Sequence, residues 1–512
     1  MTVTTPPSSA SPAVTATRRS RVLVLVASGL AAVLVYLALP HDMGELGRRC
    51  VAIALFAAVL WATEAIPLFA ASLSVVGLEV LLLARRSGEG VAGGGGGLAS
   101  TGDLSYTQFF EPFASSTVIL FLGGFLLAAA VRKHGLDRAI ASRLLRPFVG
   151  DSYQLVMAVI LTTGFLSVFI SNTATAAMML AIVTPLVRDP ATPRQLASAV
   201  VLAVSFGASI GGFMTPVSTP PNAITISQLQ AIGVHISFVQ WVLMAAPLSV
   251  GMLVITGGLL CAVLRPPPLP RSSLPPSVAS LGGGGGGDGS GGAEGAPSRL
   301  SWRAWVTVVV IVGAVLAWMS GTWHGVDDAA VALIAATLLA AVGVLDRRDV
   351  RAIDWDVLLL MWGGLALGHG LHLTGVLEYV GGLPLLRDAH GWALALMVIG
   401  GGMVFATFMS NTAAATILVP LAIVLSTGGA AGAAADGADA ETVGRATRLA
   451  VLAGLTVSFA VSMPISTPPN AMAYATGLVS SRDMIRVGLL VSLIAVGVLM
   501  AGYFWVLPWV LG

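Results

Sequence analysis

Apolar runs about as long as a bilayer is thick recur along the chain, with polar residues confined to the short gaps between them. A helical crossing needs about 20 predominantly apolar residues. Runs of this kind occupy residues 22–40, 50–65, 67–84, 114–132, 241–264, 304–320, 327–345, 355–376 and 487–510. Four further apolar blocks depart from the pattern. Residues 152–187 and 392–425 are too long for one crossing and have polar, helix-breaking residues at their centres. Residues 196–231 and 448–481 are of similar length and are interrupted by Ser-Thr-Pro-Pro-Asn.

Composition turns this pattern into a class. Of 512 residues, 56% are hydrophobic and 10% charged, against roughly 25% charged in soluble domains. The chain is therefore expected to be an all-α, multi-pass integral membrane protein. General disorder and a water-soluble enzyme are both excluded. A net charge of +2 with no basic stripe gives no reason to expect a nucleic-acid partner. Cys50 and Cys261 stand alone in apolar context, so neither a disulfide framework nor a thiolate metal site is expected. Lys133 is the single lysine, which rules out a phosphate-binding GxxxxGK[ST] loop.

Residues 1–21 read as a disordered cytoplasmic tail, with Arg18, Arg19 and Arg21 ahead of the first helix. That helix is longer than the apolar core of a cleaved signal peptide. The Gly, Pro and Ser stretch within 265–302 reads as a flexible cytoplasmic linker between a first half, 22–264, and a second, 303–512. Gly93–Gly97 and residues 428–440 read as loops.

The two halves repeat one another. Phe121-Leu-Gly-Gly-Phe-Leu-Leu-Ala and Met361-Trp-Gly-Gly-Leu-Ala-Leu-Gly share a Gly-Gly pair at an offset of 240, and Gly135 recurs as Gly375. Ser171-Asn-Thr-Ala recurs as Ser410-Asn-Thr-Ala at an offset of 239. Pro216-Val-Ser-Thr-Pro-Pro-Asn222 recurs as Pro464-Ile-Ser-Thr-Pro-Pro-Asn470 at an offset of 248. Loop charge orients the copies. Arg132, Lys133, Arg138, Arg143, Arg146, Arg188 and Arg194 flank the first Ser-Asn-Thr block on both sides, which places both its ends in the cytoplasm. A block of this length with both ends on one side is a re-entrant hairpin. The second Ser-Asn-Thr block is bordered by Arg387 and by an acidic loop with Asp436, Asp439 and Glu441, so it is expected to enter from the outer face. Arg48, Arg49, Arg85 and Arg86 run against the rule. The reading is an inverted-repeat transporter with about 11 transmembrane helices, two re-entrant hairpins, a cytoplasmic N-terminus and an external C-terminus.

Unwound backbone at membrane depth survives only where protein or a water-filled cavity covers it. Two pairs of such breaks call for a function. In inverted-repeat transporters, half-helix N-termini face an anion while freed carbonyls coordinate a cation. Asn offers a carbonyl oxygen and an amide N–H, Ser and Thr offer hydroxyls, and Pro-Pro removes two donors and stops the helix. Any one of these motifs alone could equally serve as helix–helix glue or a kink.

Taken together, the residues resemble the divalent anion/sodium symporters, a family of dicarboxylate, citrate and sulfate carriers. The resemblance runs from Val51 to Leu511 and rests on Trp61-Ala-Thr-Glu-Ala-Ile-Pro-Leu68, the Phe121-Leu-Gly-Gly-Phe block with Gly135-Leu-Asp137, both Ser-Asn-Thr triplets, both Ser-Thr-Pro-Pro-Asn segments, and Asp354-Trp355. It implies a homodimer whose scaffold domain holds the interface and whose transport domain carries the hairpins and broken helices. It implies a first sodium site at Ser167, Ser171, Asn172 and the carbonyl of Ser218, and a second at Ser410, Asn411 and the carbonyl of Ser466. The anion would lie between the hairpin tips on Asn172, Thr173, Thr219, Asn411, Thr412, Thr467 and Pro468. One departure concerns Ala406, which stands where the family often has a hydroxyl residue and can offer only a backbone carbonyl.

Neither motif contains Arg or Lys, so a dianion has to be neutralised by cations and helix-end dipoles. The expected function is sodium-coupled import of a small dianion, most of all a C4-dicarboxylate, across the cytoplasmic membrane by an elevator-type movement. Sodium is the coupling ion and no organic cofactor is expected. Alternatives are a sodium-independent dicarboxylate exchanger and a sulfate or citrate carrier of the same fold. No nucleophile–base pair or paired intramembrane aspartates suggest an enzyme, and the symmetric hairpins argue against a passive channel. Glu64 is expected in a surface loop with a structural hydrogen bond. His369 and His372 are expected as packed polar residues. Trp241, Trp302, Trp305 and Trp509 are expected as interfacial anchors, and Glu79 has no assigned role.

Overall fold

Helix ends in this chain are written by short polar signals. Asp151 accepts from Gln154 N at 2.9 Å, Ser301 from Ala304 N at 3.2 Å, Asp327 from Ala329 N at 2.8 Å and Ser480 from Asp483 N at 3.1 Å, each satisfying an N–H that the first helical turn leaves unpaired. Ser237 and Gln240 form a reciprocal capping box. In this computed structural model, residues 18–84, 104–148, 151–268, 301–376, 379, 391–427, 440–464 and 466–511 are described. The tail at 1–17, residues 269–300 of the expected linker, and the loops at Gly93–Gly97 and 428–439 lie outside them.

The described residues form helices: α1 (Arg18–Ala38), α2 (Glu45–Thr63), α3 (Leu68–Leu82), α4 (Ser116–Lys133), α5 (Leu136–Leu145), α6 (Ser152–Ser167), α7 (Asn172–Val187), α8 (Arg194–Gly211), α9 (Pro220–Ala231), α10 (Phe238–Leu264), α11 (Trp302–Met319), α12 (Asp328–Ala341), α13 (Trp355–Leu373), α14 (Trp392–Phe408), α15 (Asn411–Thr427), α16 (Ala440–Ser458), α17 (Pro468–Ala475) and α18 (Ser481–Ala501, continuing through a π turn to Leu511). Helices α6/α7 and α14/α15 are the two hairpins. Pairs α8/α9 and α16/α17 are the two interrupted helices. Between the hairpins lie the broken helix α8/α9 and helices α10 to α13.

Packing between the halves is reciprocal. Helix α3 packs on α13 and α12 on α4; α9 packs on α16 and α17 on α8. The Gly-Gly pairs explain the first two contacts. A Cβ on Gly123 would lie 2.5 Å from Ala332 Cβ, and one on Gly363 would lie 2.4 Å from Ser72 Cβ, so each helix approaches its neighbour at a distance only glycine allows. The repeat thus governs tertiary packing as well as sequence.

The interrupted helices are the centre of the molecule. In α8, 89% of the residues are buried, whereas in the apolar span of α1 only 6% are. Helix α1 packs mainly on α2 and presents apolar side chains outward. Phe213 and Phe459, each next to its helix break, meet edge-to-face with centroids 4.8 Å apart. Trp302, Trp305 and Trp509 are exposed as interfacial residues should be, but Trp241 is fully buried. Its Nε1 donates to Phe213 O at 3.0 Å, satisfying a carbonyl that the break leaves without a helical partner, so it is a core residue and not an anchor. Glu64 sits in the expected turn as the left-handed C-cap of α2. Among the described residues its side chain has no hydrogen bond, which corrects the structural role expected of it.

Candidate functional site

A helix broken inside a membrane strands carbonyls, and one asparagine in each half captures them. Asn222 Nδ2 lies 3.1 Å from Gly212 O, 3.3 Å from Phe213 O and 2.7 Å from Thr215 O. Asn470 Nδ2 donates to Val461 O at 2.9 Å and Met463 O at 2.8 Å, the counterparts of Phe213 and Thr215. These last residues of Ser-Thr-Pro-Pro-Asn are fully buried and hold each break open in a fixed shape. The sequence reading left them out of the site, although they belong to the longest repeated block.

The serine of the same motif ties each break to its own hairpin. Ser218 Oγ donates to Val168 O at 2.8 Å, and Ser466 Oγ to Thr407 O at 3.2 Å. Val168 and Thr407 hold matching positions just before the two tips. Thr215 reinforces the first tie, donating to Val168 O at 2.9 Å and touching Ser218 Oγ; Met463 at the matching place has no hydroxyl.

Across the molecular centre, the breaks are joined to one another. Ser205 Oγ donates to Asn470 Oδ1 at 2.5 Å, and Ser209 Oγ to Thr467 Oγ1 at 3.4 Å. Thr467 Oγ1 also accepts from Asn470 N at 3.2 Å and so caps α17, whereas Thr219 makes no such bond at the start of α9. Both are buried. Helices α7, α9, α15 and α17 all begin at these motifs, so four positive helix ends are presented there.

The first tip is crowded with oxygen. Ser167 Oγ lies 2.8 Å from Ala208 O and 2.9 Å from Asn172 Oδ1, and its single hydroxyl hydrogen can serve only one of them. Gly212 makes the closeness possible, since a Cβ there would fall 2.1 Å from Asn172 Oδ1. Ser171 Oγ is buried without a partner. The second tip has the same backbone plan with fewer hydroxyls: Ala406 replaces Ser167, and Asn411 Oδ1 is left buried and unpartnered. Ser410 Oγ accepts from Ala413 N at 3.3 Å and Thr412 is half-buried. Thr173 and Pro468 are exposed, and Asn172 and Asn411 are half-buried, so the tips are open to an incoming ligand.

Clustered carbonyl and hydroxyl oxygens are what a hard cation such as sodium takes as ligands, and the orphaned oxygens of Ser171 and Asn411 fit such an ion. No group of three or more His, Cys, Asp or Glu among the described residues suits a transition metal.

The family model described as the sodium:sulfate symporter transmembrane region matches residues 17–511. An uncharacterized transporter of Haemophilus influenzae is 30% identical over 463 residues, covering 88% of this chain and 90% of that protein. The sodium-dependent dicarboxylate transporters SdcS of Staphylococcus saprophyticus and Staphylococcus aureus are each 27% identical, covering 92% of this chain and 88% of theirs. Among solved structures, the YdaH transporter of Alcanivorax borkumensis superposes with a TM-score of 0.48 at 14% identity, over 78% of this chain and 89% of that one.

Proposed function

The chain belongs to the sodium:sulfate symporter family, and from that premise we propose that it imports a small dianion, with C4-dicarboxylates first in line, driven by the sodium gradient across the cytoplasmic membrane. The observation that carries this is the pair of hairpin tips, each bound to an interrupted helix, with unpartnered acceptor oxygens at Ser171, Asn222 and Asn411 and no basic side chain in the motifs. The naming of two relatives as sodium-dependent dicarboxylate transporters supports the choice of substrate.

In this reading Ser167, Ser171, Asn172 and the carbonyl of Ser218 hold one sodium. Ser410, Asn411 and the carbonyl of Ser466 hold a second. The dianion rests on Asn172, Thr173, Thr219, Asn411, Thr412, Thr467 and Pro468, its charge balanced by the ions and by four helix N-termini. Either partner alone leaves uncompensated charge in a low-dielectric site, so each raises the affinity for the other by the same factor. The hydrogen-bonded block of α6–α10 and α14–α18 carries the loaded site past a scaffold of α2–α4 and α11–α13, through which two copies of the chain dimerise. The N-terminus is cytoplasmic.

Uptake of radiolabelled succinate into proteoliposomes tests the proposal. Uptake driven by an inward sodium gradient is expected. Counterflow indifferent to sodium would make the protein an exchanger, and indifference to sodium with succinate, citrate and sulfate alike would overturn the reading.

A further inference from the structure

Apart from the two tips, a small pocket lies where α13 meets α9 and α15, lined by Gln228, Ala231, Gly368, His369, His372 and Pro420 among others. It has room for a water-sized species and not for a dicarboxylate. Gln228 is only 6% exposed, lines this pocket, and among the described residues its side chain has no hydrogen bond. Its position is built in. A Cβ on Gly368 would lie 2.0 Å from Gln228 Nε2 and 2.8 Å from Oε1, so the glycine leaves the space the amide occupies.

His369 and His372 stand three residues apart on α13 and line the same pocket, the spacing at which two side chains of one helix share a face. Paired ligands at this spacing hold metals in helical bundles. Imidazole nitrogen suits late first-row divalent ions. A ligating imidazole uses one ring nitrogen and keeps the other for a second partner, so existing contacts of either ring do not prevent it.

We propose that His369 and His372 of α13, with the amide oxygen of Gln228 from α9, form a zinc-class divalent metal site that clamps α9 to α13. Water completes the shell. The other half has no copy of it, because Thr476, Ala129 and Arg132 stand at the positions of Gln228, His369 and His372. Inhibition by the metal rests on the reading that α9 moves against α13; binding itself does not.

The test uses purified full-length protein and zinc chloride. Micromolar zinc is expected to raise the melting temperature in sodium-free detergent solution and to slow succinate uptake into proteoliposomes, reversibly on adding a chelator. The His369→Gln/His372→Gln double variant should keep sodium-driven uptake without zinc and need at least tenfold more zinc for either effect. Gln228→Leu should weaken zinc severalfold. A wild-type protein that zinc does not stabilise, or a double variant stabilised equally, would overturn the site. Stabilisation without inhibition would overturn the clamp. Loss of sodium-driven uptake in the wild type before any zinc is added is a separate failure, that of the transport reading.

Discussion

Single oxygens distinguish the two half-sites. At the first tip, Ser167 supplies the hydroxyl facing Asn172 Oδ1; at the second, Ala406 supplies none and Asn411 Oδ1 is orphaned. The same trade recurs deeper, where Ser205 satisfies Asn470 Oδ1 while its counterpart Ala453 leaves Asn222 Oδ1 unpaired. Two predictions belong to this scale. Asn172→Ala and Asn411→Ala should each abolish the rise in melting temperature that sodium gives with succinate; unchanged shifts in both would remove these residues from the site. Ser167→Ala should make the first tip resemble the second and raise the sodium concentration for half-maximal stabilisation about tenfold, the equivalent of ~1.4 kcal/mol for one charge-assisted contact. Ala406→Ser should move that concentration the other way. Nearly all the site residues expected from sequence lie at the tips and breaks, because motifs repeated in a low-complexity apolar chain are visible in the letters alone. The hydroxyls of Ser205, Ser209 and Thr215 were not visible, since an isolated Ser or Thr in a membrane helix commonly bonds its own backbone.

Breaks are tolerated at the level of the element because side-chain donors reach the carbonyls stranded beside them. Asn222 and Asn470 act from within their own segments, and Trp241 reaches Phe213 O from the start of α10. Trp241→Phe keeps the ring but removes the shorter of two donors to that carbonyl, leaving only Asn222 Nδ2 at 3.3 Å, at a cost of about 1 kcal/mol. A lower melting temperature with sodium affinity nearly kept is expected, read by thermal unfolding with and without sodium; a shift in sodium affinity alone would contradict a purely structural role. Sequence placed this tryptophan at a span end and so at the interface, because proximity to a helix terminus is all that position in the chain reports. Depth within the protein is set by what packs over it, here the breaks themselves.

For the whole molecule, the decisive feature is the seam between α13 and the α9/α15 pair. Gly368 faces the Gln228 amide across it, with Nε2 2.0 Å from where a Cβ on the glycine would lie, so cysteines introduced at the two positions point toward one another. In a protein freed of Cys50 and Cys261, oxidising a Gln228→Cys/Gly368→Cys pair should stop uptake and reduction should restore it; full uptake in the cross-linked state would show that the seam does not slide. The chain's own letters determined the membrane class, the repeat, the hairpins and the motif residues, since hydropathy, helix breakers and duplicated blocks are local properties. The reach of Ser205 and Ser209 into the opposite half, the burial of Trp241 and the placing of Gln228 beside two histidines were decided only by tertiary structure. Those contacts join residues far apart in sequence whose pairing depends on how two oppositely inserted halves interlock, and no local pattern encodes that geometry.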